Sequence, residues 1–155
     1  PLRILANRGA NGIDGIVSSA LGATYDADHR YLLVGDLAFI HDINGLMMAR
    51  TRPMTILLIN NTGGGIFNFL PQQALDPAVF EPLFGTAQEL DFRHLASGYG
   101  VDYQLISSIP DLKTALQTIP VATRILEIRT DRPENVRLHR RIWELTNQAL
   151  QERFQ

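Results

Sequence analysis

The sequence has no cysteine and no long apolar run, and each absence removes a class of protein. Among its 155 residues cysteine is missing altogether, which excludes disulfide frameworks and thiolate metal centres. No apolar stretch approaches the roughly 20 residues that a membrane-spanning helix needs. The lack of cysteine is compatible with a cytoplasmic protein, which we expect here. What is present is 45% hydrophobic residues, enough to build a buried core.

Strong charge of either sign is also missing. The formal net charge is −2, so bulk electrostatics favours neither nucleic acid nor an anionic membrane, and we expect neither as a partner. An initiator methionine and a signal-peptide pattern are missing too, because the chain begins Pro-Leu-Arg-Ile-Leu. We therefore expect residues 1–155 to be a single domain excised from a longer protein.

Short apolar runs alternate with segments of helical periodicity along the chain. The runs predict strands at 2–6, 31–34, 54–59, 101–106 and 124–129. The helical spacing predicts helices from Ile13 onward, at 39–47, 92–99 and 111–117, and from Pro133 onward, with a long loop and a short helical piece at 71–90. This alternation is typical of an α/β fold with a mostly parallel sheet and helices on both faces.

Polar loops follow three of the predicted strands, at 7–12, 35–36 and 60–65. Ligands of parallel sheets bind at the carboxyl ends of the strands, so we expect these loops to gather at one edge. Asp36 and Asn61 are small oxygen donors of the kind that Mg²⁺ takes. A turn-capping aspartate and an asparagine in a turn remain the alternative interpretation of this pair.

Two glycine-rich turns lie in the first and third of these loops. The three glycines at 63–65 let backbone approach a phosphate closely. The turn 8–15 leads into a helix N-terminus, which attracts phosphate, although a plain strand-to-helix turn would look the same. It is not a nucleotide P-loop, because no Gly-Lys-Ser/Thr follows. With Asp36 and Asn61, these turns predict a metal site that holds a diphosphate.

Together these motifs resemble those of the thiamine-diphosphate enzymes. The spacing from Gly35-Asp36 to Asn60-Asn61 is similar to their cofactor motif, although Leu37 stands where most of them have glycine. The segments 7–15, 35–39, 41–46, 63–67 and 70–72 resemble one subfamily, the 2-succinyl-5-enolpyruvyl-6-hydroxy-3-cyclohexene-1-carboxylate synthases of menaquinone and phylloquinone synthesis. The close resemblance covers residues 7–72, and beyond it mainly the order of helices and strands is similar.

The resemblance implies a C-terminal diphosphate-binding domain and a role for each matching residue. It implies that Asp36, Asn61 and the backbone carbonyl of Gly63 hold Mg²⁺ or Mn²⁺, and that Ile13 wedges beneath thiamine diphosphate. The positions implied to bind cofactor are Gly12, Ile13, Asp14, Gly35, Asp36, Leu37, Asn61, Gly63, Gly64 and Ile66. The positions implied to contact substrate are Arg8, Phe67 and Leu70.

The resemblance also implies a reaction, in which 2-oxoglutarate is decarboxylated and the succinyl carbanion adds to isochorismate. The family's catalytic glutamate comes from the N-terminal domain of a partner subunit. No residue here is therefore assigned a catalytic role, and the fragment alone is expected to be inactive. Homodimers or homotetramers, assembled with the enzyme's own other domains, are implied. Two alternatives stay open: another thiamine-diphosphate enzyme of the acetolactate synthase or 2-oxoacid decarboxylase type, and a non-catalytic nucleotide-binding module.

Overall fold

A computed structural model describes residues 3–7, 12–50 and 52–154 of the chain. They form two compact units, each discontinuous in sequence. The first, here named the sheet unit, comprises residues 1–60 and 90–129, and the second, named the glycine-turn unit, comprises 61–89 and 130–155.

The sheet unit is built on four parallel strands in the order β1-β2-β4-β3. Their bounds are Tyr31–Gly35 (β1), Thr55–Asn60 (β2), Asp102–Ile106 (β3) and Arg124–Arg129 (β4). The strands predicted near these positions are thereby confirmed, as is the parallel α/β fold. Gly35 of β1 pairs in register with Ile59 of β2, so the carboxyl ends of these two strands lie side by side.

The strand predicted at 2–6 is wrong for the part that the structure describes. Residues 3–7 form no strand, and the Ile4 side chain is 82% exposed. An apolar run predicts burial, but a strand also needs a neighbour for its backbone N–H and C=O groups. None of the four described strands pairs with residues 3–7.

Seven described segments are α-helical. Their bounds are Ile16–Ala23 (α1), Asp36–His41 (α2), Leu46–Ala49 (α3), Pro77–Phe80 (α4), Phe92–Tyr99 (α5), Ile109–Gln117 (α6) and Arg132–Phe154 (α7). Local sequence explains α5 well: Asp91 accepts hydrogen bonds from the backbone N–H groups of Arg93 and His94, and Gly100 ends the helix at φ 67°.

The continuous helix predicted at 39–47 is interrupted. A 3₁₀ turn at Ile43–Gly45 separates α2 from α3. Asp42 departs from helical geometry, and its carboxylate accepts bonds from the Ser18 N–H (2.7 Å) and hydroxyl (3.0 Å) on α1. This tertiary contact, which periodicity alone does not reveal, lies at the break in the helix.

The apolar core lies in the sheet unit. One cluster joins α1, α2, α3 and α5 to the sheet, with the Phe39 and Phe92 rings 5.9 Å apart, and a smaller one lies under α6. The first cluster contains Val17, Leu21, Leu32, Val34, Phe39, Leu46, Ala49, Met54, Ile56, Leu58, Phe92, Ala96, Val101 and Ile125.

The glycine-turn unit is made of short turns and one long helix. Two 3₁₀ segments, Gly65–Phe69 and Pro71–Ala74, precede α4, and a wide helical turn, Glu81–Gly85, follows it. The segment 71–90 therefore contains more helical structure than the single short piece that the sequence predicted. The long final helix is confirmed as α7. No helix within the described ranges is both long and apolar enough to cross a membrane.

Candidate diphosphate and metal site

In the sheet unit, Asp36 is the first residue of α2 and directly follows β1. Its side chain is only 3% exposed, and Oδ1 accepts a hydrogen bond from the Leu37 N–H at 2.9 Å. A carboxylate is favoured in the first turn of a helix because the N-terminus carries partial positive charge. The strand-to-helix junction thus places a buried carboxylate at the carboxyl edge of the sheet, beside exposed Gly35.

The segment before α1 is open to solvent. Gly12, Ile13 and Asp14 are exposed, and the Ile13 side chain retains 44% of its accessible surface. A Cβ added at Gly12 would lie 2.6 Å from the Asp14 Oδ1, so a larger residue there would displace the exposed Asp14 side chain. The exposed apolar side chain of Ile13 is compatible with its predicted role as a wedge beneath thiamine diphosphate. Arg8, the predicted substrate contact, lies outside the described residues.

In the glycine-turn unit, the segment from Asn61 to Gly65 packs tightly against the turn that ends at Gly85. The Gly64 N–H donates to the Gly85 carbonyl at 2.7 Å. A Cβ at Gly63 would collide with that carbonyl oxygen, and one at Gly64 would collide with the Phe84 oxygen. Gly63 also adopts φ 129°, a conformation that favours glycine. Only residues without side chains fit this turn.

The Asn61 side chain has the property expected of a metal ligand. Its Oδ1 is buried and accepts no hydrogen bond from the residues that the structure describes. A buried acceptor without a partner is uncommon in native proteins and calls for a physical explanation. A bound cation would satisfy it. The Gly63 carbonyl accepts the Gly65 N–H at 3.0 Å.

The chemistry of these donors fits Mg²⁺ or Mn²⁺. Asp36, Asn61 and the Gly63 carbonyl would supply a carboxylate, a carboxamide and a backbone oxygen, all hard ligands. In the described parts of the chain, no group of three or more His, Asp or Glu could hold a metal. That Asp36, Asn61 and Gly63 share one cation stays a prediction.

Two threonines adjoin the contact between the turns in strained conformations. Thr62 has φ 58° and Thr86 has φ 42°. A β-branched residue in the left-handed region costs on the order of 1–3 kcal/mol, and such strain persists only where surrounding contacts impose it. Thr62 precedes Gly63 and Thr86 follows Gly85, so the strain is concentrated beside the turn predicted to bind phosphate.

Three apolar residues predicted to contact cofactor or substrate, Ile66, Phe67 and Leu70, follow this turn directly, and we name them the apolar wall. Ile66 and Leu70 are 68% and 42% exposed. Phe67 is half-buried and meets Phe84 edge to face, with the ring centroids 5.6 Å apart. The wall therefore combines one anchored ring with two accessible aliphatic side chains, which suits contact with a ligand.

Sequence reasoning missed a partly buried ion pair in the glycine-turn unit. The Arg132 Nη2 lies 2.7 Å from the Glu81 Oε2, with the Arg132 side chain 13% exposed and that of Glu81 46% exposed. The Arg132 Nη1 is buried and has no hydrogen-bond acceptor among the described residues. Arg132 begins an ordinary helix, and no sequence signal links it to Glu81, which lies 51 positions earlier.

A buried carboxylate in the sheet unit was missed as well. Glu127 of β4 is fully buried, and its oxygens accept bonds from the Asn60 Nδ2 (2.8 Å), the Tyr103 hydroxyl (2.6 Å) and the Arg129 Nε (2.7 Å). A glutamate inside the apolar run RILEIR was the available signal. The network ties Asn60, the last residue of β2, to the adjacent strand β4 and, through Glu127, to Tyr103 of β3.

Opposing effects set the pKa values in this network. Burial raises the pKa of Glu127, but the bonds from Tyr103, Arg129 and Asn60 outweigh it and hold the pKa below its usual range. For Tyr103, burial and then the bond to Glu127 raise the pKa to about 12. At neutral pH the glutamate is thus ionised and the tyrosine is protonated.

The parallel α/β fold and a family match identify the chain as a thiamine-diphosphate-binding domain. The family model described as "Thiamine pyrophosphate enzyme, C-terminal TPP binding domain" matches residues 1–126. The chain belongs to this family. The resemblance to thiamine-diphosphate enzymes is thereby confirmed, while the roles of individual residues stay predictions.

Curated relatives extend the similarity to particular enzymes. The chain is 50% identical over 153 residues to the 2-succinyl-5-enolpyruvyl-6-hydroxy-3-cyclohexene-1-carboxylate synthase of Listeria innocua, covering 96% of this chain and 26% of that protein. The synthase of Geobacillus thermodenitrificans is 47% identical over 154 residues, covering 97% and 26%. That of Lysinibacillus sphaericus is 46% identical over 153 residues, covering 96% and 27%. The chain therefore spans about a quarter of the length of these relatives.

Among solved structures, the chain is similar to the thiamine diphosphate-dependent 4-hydroxybenzoylformate decarboxylase of Rhodococcus jostii RHA1. The TM-score is 0.57 and the sequence identity 27%, with 73% of this chain and 22% of that chain covered. The similarity supports the same cofactor-binding fold.

Proposed function

We propose that this chain is the C-terminal, diphosphate-side domain of a longer 2-succinyl-5-enolpyruvyl-6-hydroxy-3-cyclohexene-1-carboxylate synthase. The observation that carries the proposal is 50% identity, over 96% of the chain, to a synthase of that name. The enzyme would be a cytoplasmic transferase of menaquinone or phylloquinone synthesis. It would decarboxylate 2-oxoglutarate and join the succinyl unit to isochorismate.

Under this proposal the chain's main task is to hold the cofactor. Asp36, Asn61 and the Gly63 carbonyl would ligate Mg²⁺ or Mn²⁺, which offsets the charge of the diphosphate. The glycine turn presents backbone without side chains, and Ile13 offers its exposed side chain to the cofactor. When bound, thiamine diphosphate supplies the electron sink for decarboxylation, while the protein supplies orientation and electrostatics. The other proposed cofactor contacts are Gly12, Asp14, Gly35, Leu37, Gly64 and Ile66.

Substrate contacts would come from the apolar wall and from Arg8. The accessible surfaces of Ile66 and Leu70, with the ring of Phe67, suit the hydrocarbon parts of the substrates. Both proposed substrates carry carboxylates, which an arginine binds through paired hydrogen bonds. Arg8 is proposed for this role on sequence resemblance.

The rest of the catalytic site would come from other domains. We assign no catalytic residue to this chain, and the glutamate that activates the cofactor would belong to a partner subunit. Exposed apolar side chains on α7 support burial against further protein, since Leu138, Ile142 and Leu145 are 53%, 48% and 47% exposed. A homodimer or homotetramer would follow, and this fragment alone would not turn over substrate.

Calorimetry tests the cofactor part of the proposal. Thiamine diphosphate is titrated into the full-length enzyme with Mg²⁺ and again with EDTA. We expect metal-dependent binding that Asp36→Ala abolishes and Asn61→Ala weakens. The control is Asp28→Ala, which removes an exposed carboxylate just before the amino end of β1. Unchanged binding by Asp36→Ala would favour a non-catalytic nucleotide-binding module instead.

Substrate choice tests the reaction. We expect the full-length enzyme to consume 2-oxoglutarate only with isochorismate as acceptor, and the 155-residue fragment to form no product. Use of pyruvate without use of 2-oxoglutarate would favour an acetolactate synthase or a 2-oxoacid decarboxylase. Product formed by the isolated fragment would contradict the proposed need for a partner's glutamate.

A further inference from the structure

Arg132 occupies an unusual position for an arginine at the start of a helix. It is the first residue of α7, yet its side chain is 13% exposed and is paired with Glu81 at 2.7 Å. Removing a guanidinium from water is costly, and a buried ion pair is by itself weak evidence for a stabilising role. The burial therefore needs another explanation, which its surroundings provide.

The Arg132 side chain packs against both glycine segments of its unit. Its Cγ lies 3.7 Å from the place that a Cβ on Gly65 would take, and its Nη1 lies 2.7 Å from the corresponding place at Gly85. The same two segments are joined by the bond from the Gly64 N–H to the Gly85 carbonyl. Arg132 thus contacts both partners of the turn-to-turn contact from the side.

The Asn61 side chain adjoins the same place. A Cβ at Gly65 would collide with the Asn61 Nδ2, so this amide nitrogen lies against the Gly65 backbone. Gly65 is thereby in contact with Arg132 on one hand and with Asn61 on the other. A shift of the Gly65 backbone would alter the direction in which the Asn61 Oδ1 points.

We propose that Arg132, fixed by Glu81, is a positioning residue for the metal-binding turn. It acts through Gly65 and Gly85, not by touching cofactor or substrate, and it holds the Asn61 carboxamide and the Gly63 carbonyl in place for a divalent cation. The inference rests on the proposed function, because it concerns the same metal site.

The strain in this unit supports a constraining role over a merely stabilising one. Thr62 and Thr86 both hold positive φ next to the joined glycines, a state that persists only under imposed contacts. The Arg137–Glu134 pair of the same helix offers a contrast, since both of its side chains are largely exposed. It contacts neither glycine segment and therefore serves as the matched control.

The test compares Mn²⁺ affinity in the full-length enzyme with saturating thiamine diphosphate, from the electron paramagnetic resonance signal of free Mn²⁺. We expect Arg132→Gln and Glu81→Gln to raise the Kd for Mn²⁺ about tenfold, the usual cost of losing a residue that orients a metal ligand. Arg137→Gln, which breaks an exposed pair, should stay within about twofold of wild type. The melting temperature of the metal-free enzymes is measured in parallel.

Each outcome decides the matter. A role in stability alone would lower the melting temperature of the metal-free variants and leave the Kd of the folded protein unchanged, which would overturn the inference. If Arg132→Gln does not fold, Glu81→Gln, whose side chain is 46% exposed, gives the answer. A wild-type enzyme that binds no Mn²⁺ would overturn the metal site itself. If wild type and both variants bind Mn²⁺ with the same Kd, the positioning role of Arg132 is overturned and the proposed metal site stands.

Discussion

The sheet unit and the glycine-turn unit differ in how their buried polar atoms are paired. In the sheet unit, the fully buried Glu127 receives bonds from three donors. In the glycine-turn unit, four buried side-chain atoms have no hydrogen-bond partner among the residues described. They are the Asn61 Oδ1, Asn68 Oδ1, Gln72 Oε1 and Arg132 Nη1. Folded proteins rarely leave such groups unpaired, so their confinement to one unit is informative.

Apolar packing and backbone strain show the same division. Both hydrophobic clusters belong to the sheet unit, whereas the described part of the glycine-turn unit buries only Phe80 and Val136 among its apolar side chains. The two threonines with positive φ also lie in the glycine-turn unit. The sheet unit thus has the apolar packing and backbone geometry usual in folded domains. The glycine-turn unit, which is predicted to bind ligand, departs from both, and such departures are expected at functional sites.

The largest effect on stability should come from removing the hydrogen-bonded Glu127 carboxylate of the sheet unit. Glu127→Ala removes the carboxylate that accepts from the partly buried Asn60 amide and Tyr103 hydroxyl. We expect it to lower the free energy of unfolding by about 3 kcal/mol. The matched control is Glu134→Ala, which removes an exposed partner of Arg137 and should leave the free energy of unfolding close to the wild-type value.

Urea unfolding of the metal-free protein, followed by circular dichroism, measures both values. Equal losses for Glu127→Ala and Glu134→Ala would show that the Glu127 network does not stabilise the sheet unit. The contrast between a unit whose buried polar atoms are paired and one whose buried polar atoms are unpaired would then lose its main support.

A smaller effect, of opposite sign, should come from relieving strain in the glycine-turn unit. Thr86→Gly removes the clash of a β-branched residue at φ 42°, and we expect about 1 kcal/mol of stabilisation after the entropy cost of glycine. In the sheet unit, Thr118→Gly changes the same residue type at φ −97° and should destabilise by about 0.5–1 kcal/mol.

Trp143 provides the measurement for the strained site. It is the single tryptophan of the chain, and its ring lies 6.0 Å from that of Phe69 in the glycine-turn unit. Its fluorescence during urea unfolding of the 155-residue fragment follows that unit and measures Thr86→Gly, while circular dichroism of the fragment measures Thr118→Gly in the sheet unit. Destabilisation by Thr86→Gly as large as that by Thr118→Gly would mean that Thr86 is not strained.

A further effect on stability is confined to alkaline pH. Because the pKa of Tyr103 is raised to about 12 in the folded protein against about 10 in the unfolded chain, the folded state holds this proton more tightly. The associated stability is fully present below about pH 10 and is lost as the pH rises through the folded pKa. Tyr103→Phe should lack this loss. Unfolding curves at several alkaline pH values, with ultraviolet titration of tyrosine, measure the difference. The same alkaline loss in Tyr103→Phe would assign it to another group.

Features set by neighbouring residues were predictable from the sequence. The start of α5 at Asp91 and its end at Gly100 follow from capping chemistry within a few positions. The apolar runs that predicted β2 and β4 could likewise be recognised without knowledge of distant residues. The order of these elements, with the strand-end motifs, was enough for the fold class and the family.

Features that join distant residues were not predictable in this way. Asn60 and Glu127 are 67 positions apart, and Glu81 and Arg132 are 51 apart. The strand expected at 2–6 failed for the related reason that a strand requires a neighbour. A residue's type indicates whether it suits burial, but its partner emerges only when the chain is folded.

The glycines of the tight turn also give this region a spectroscopic label of its own. Gly63, Gly64, Gly65 and Gly85 are four of the twelve glycines in the chain. Incorporating only ¹⁵N-glycine into the 155-residue fragment would therefore yield a spectrum of at most twelve backbone amides, a third of them from the contact between the two turns. Metal and cofactor titrations could be followed there signal by signal, without introducing any probe into a site that has no room for one.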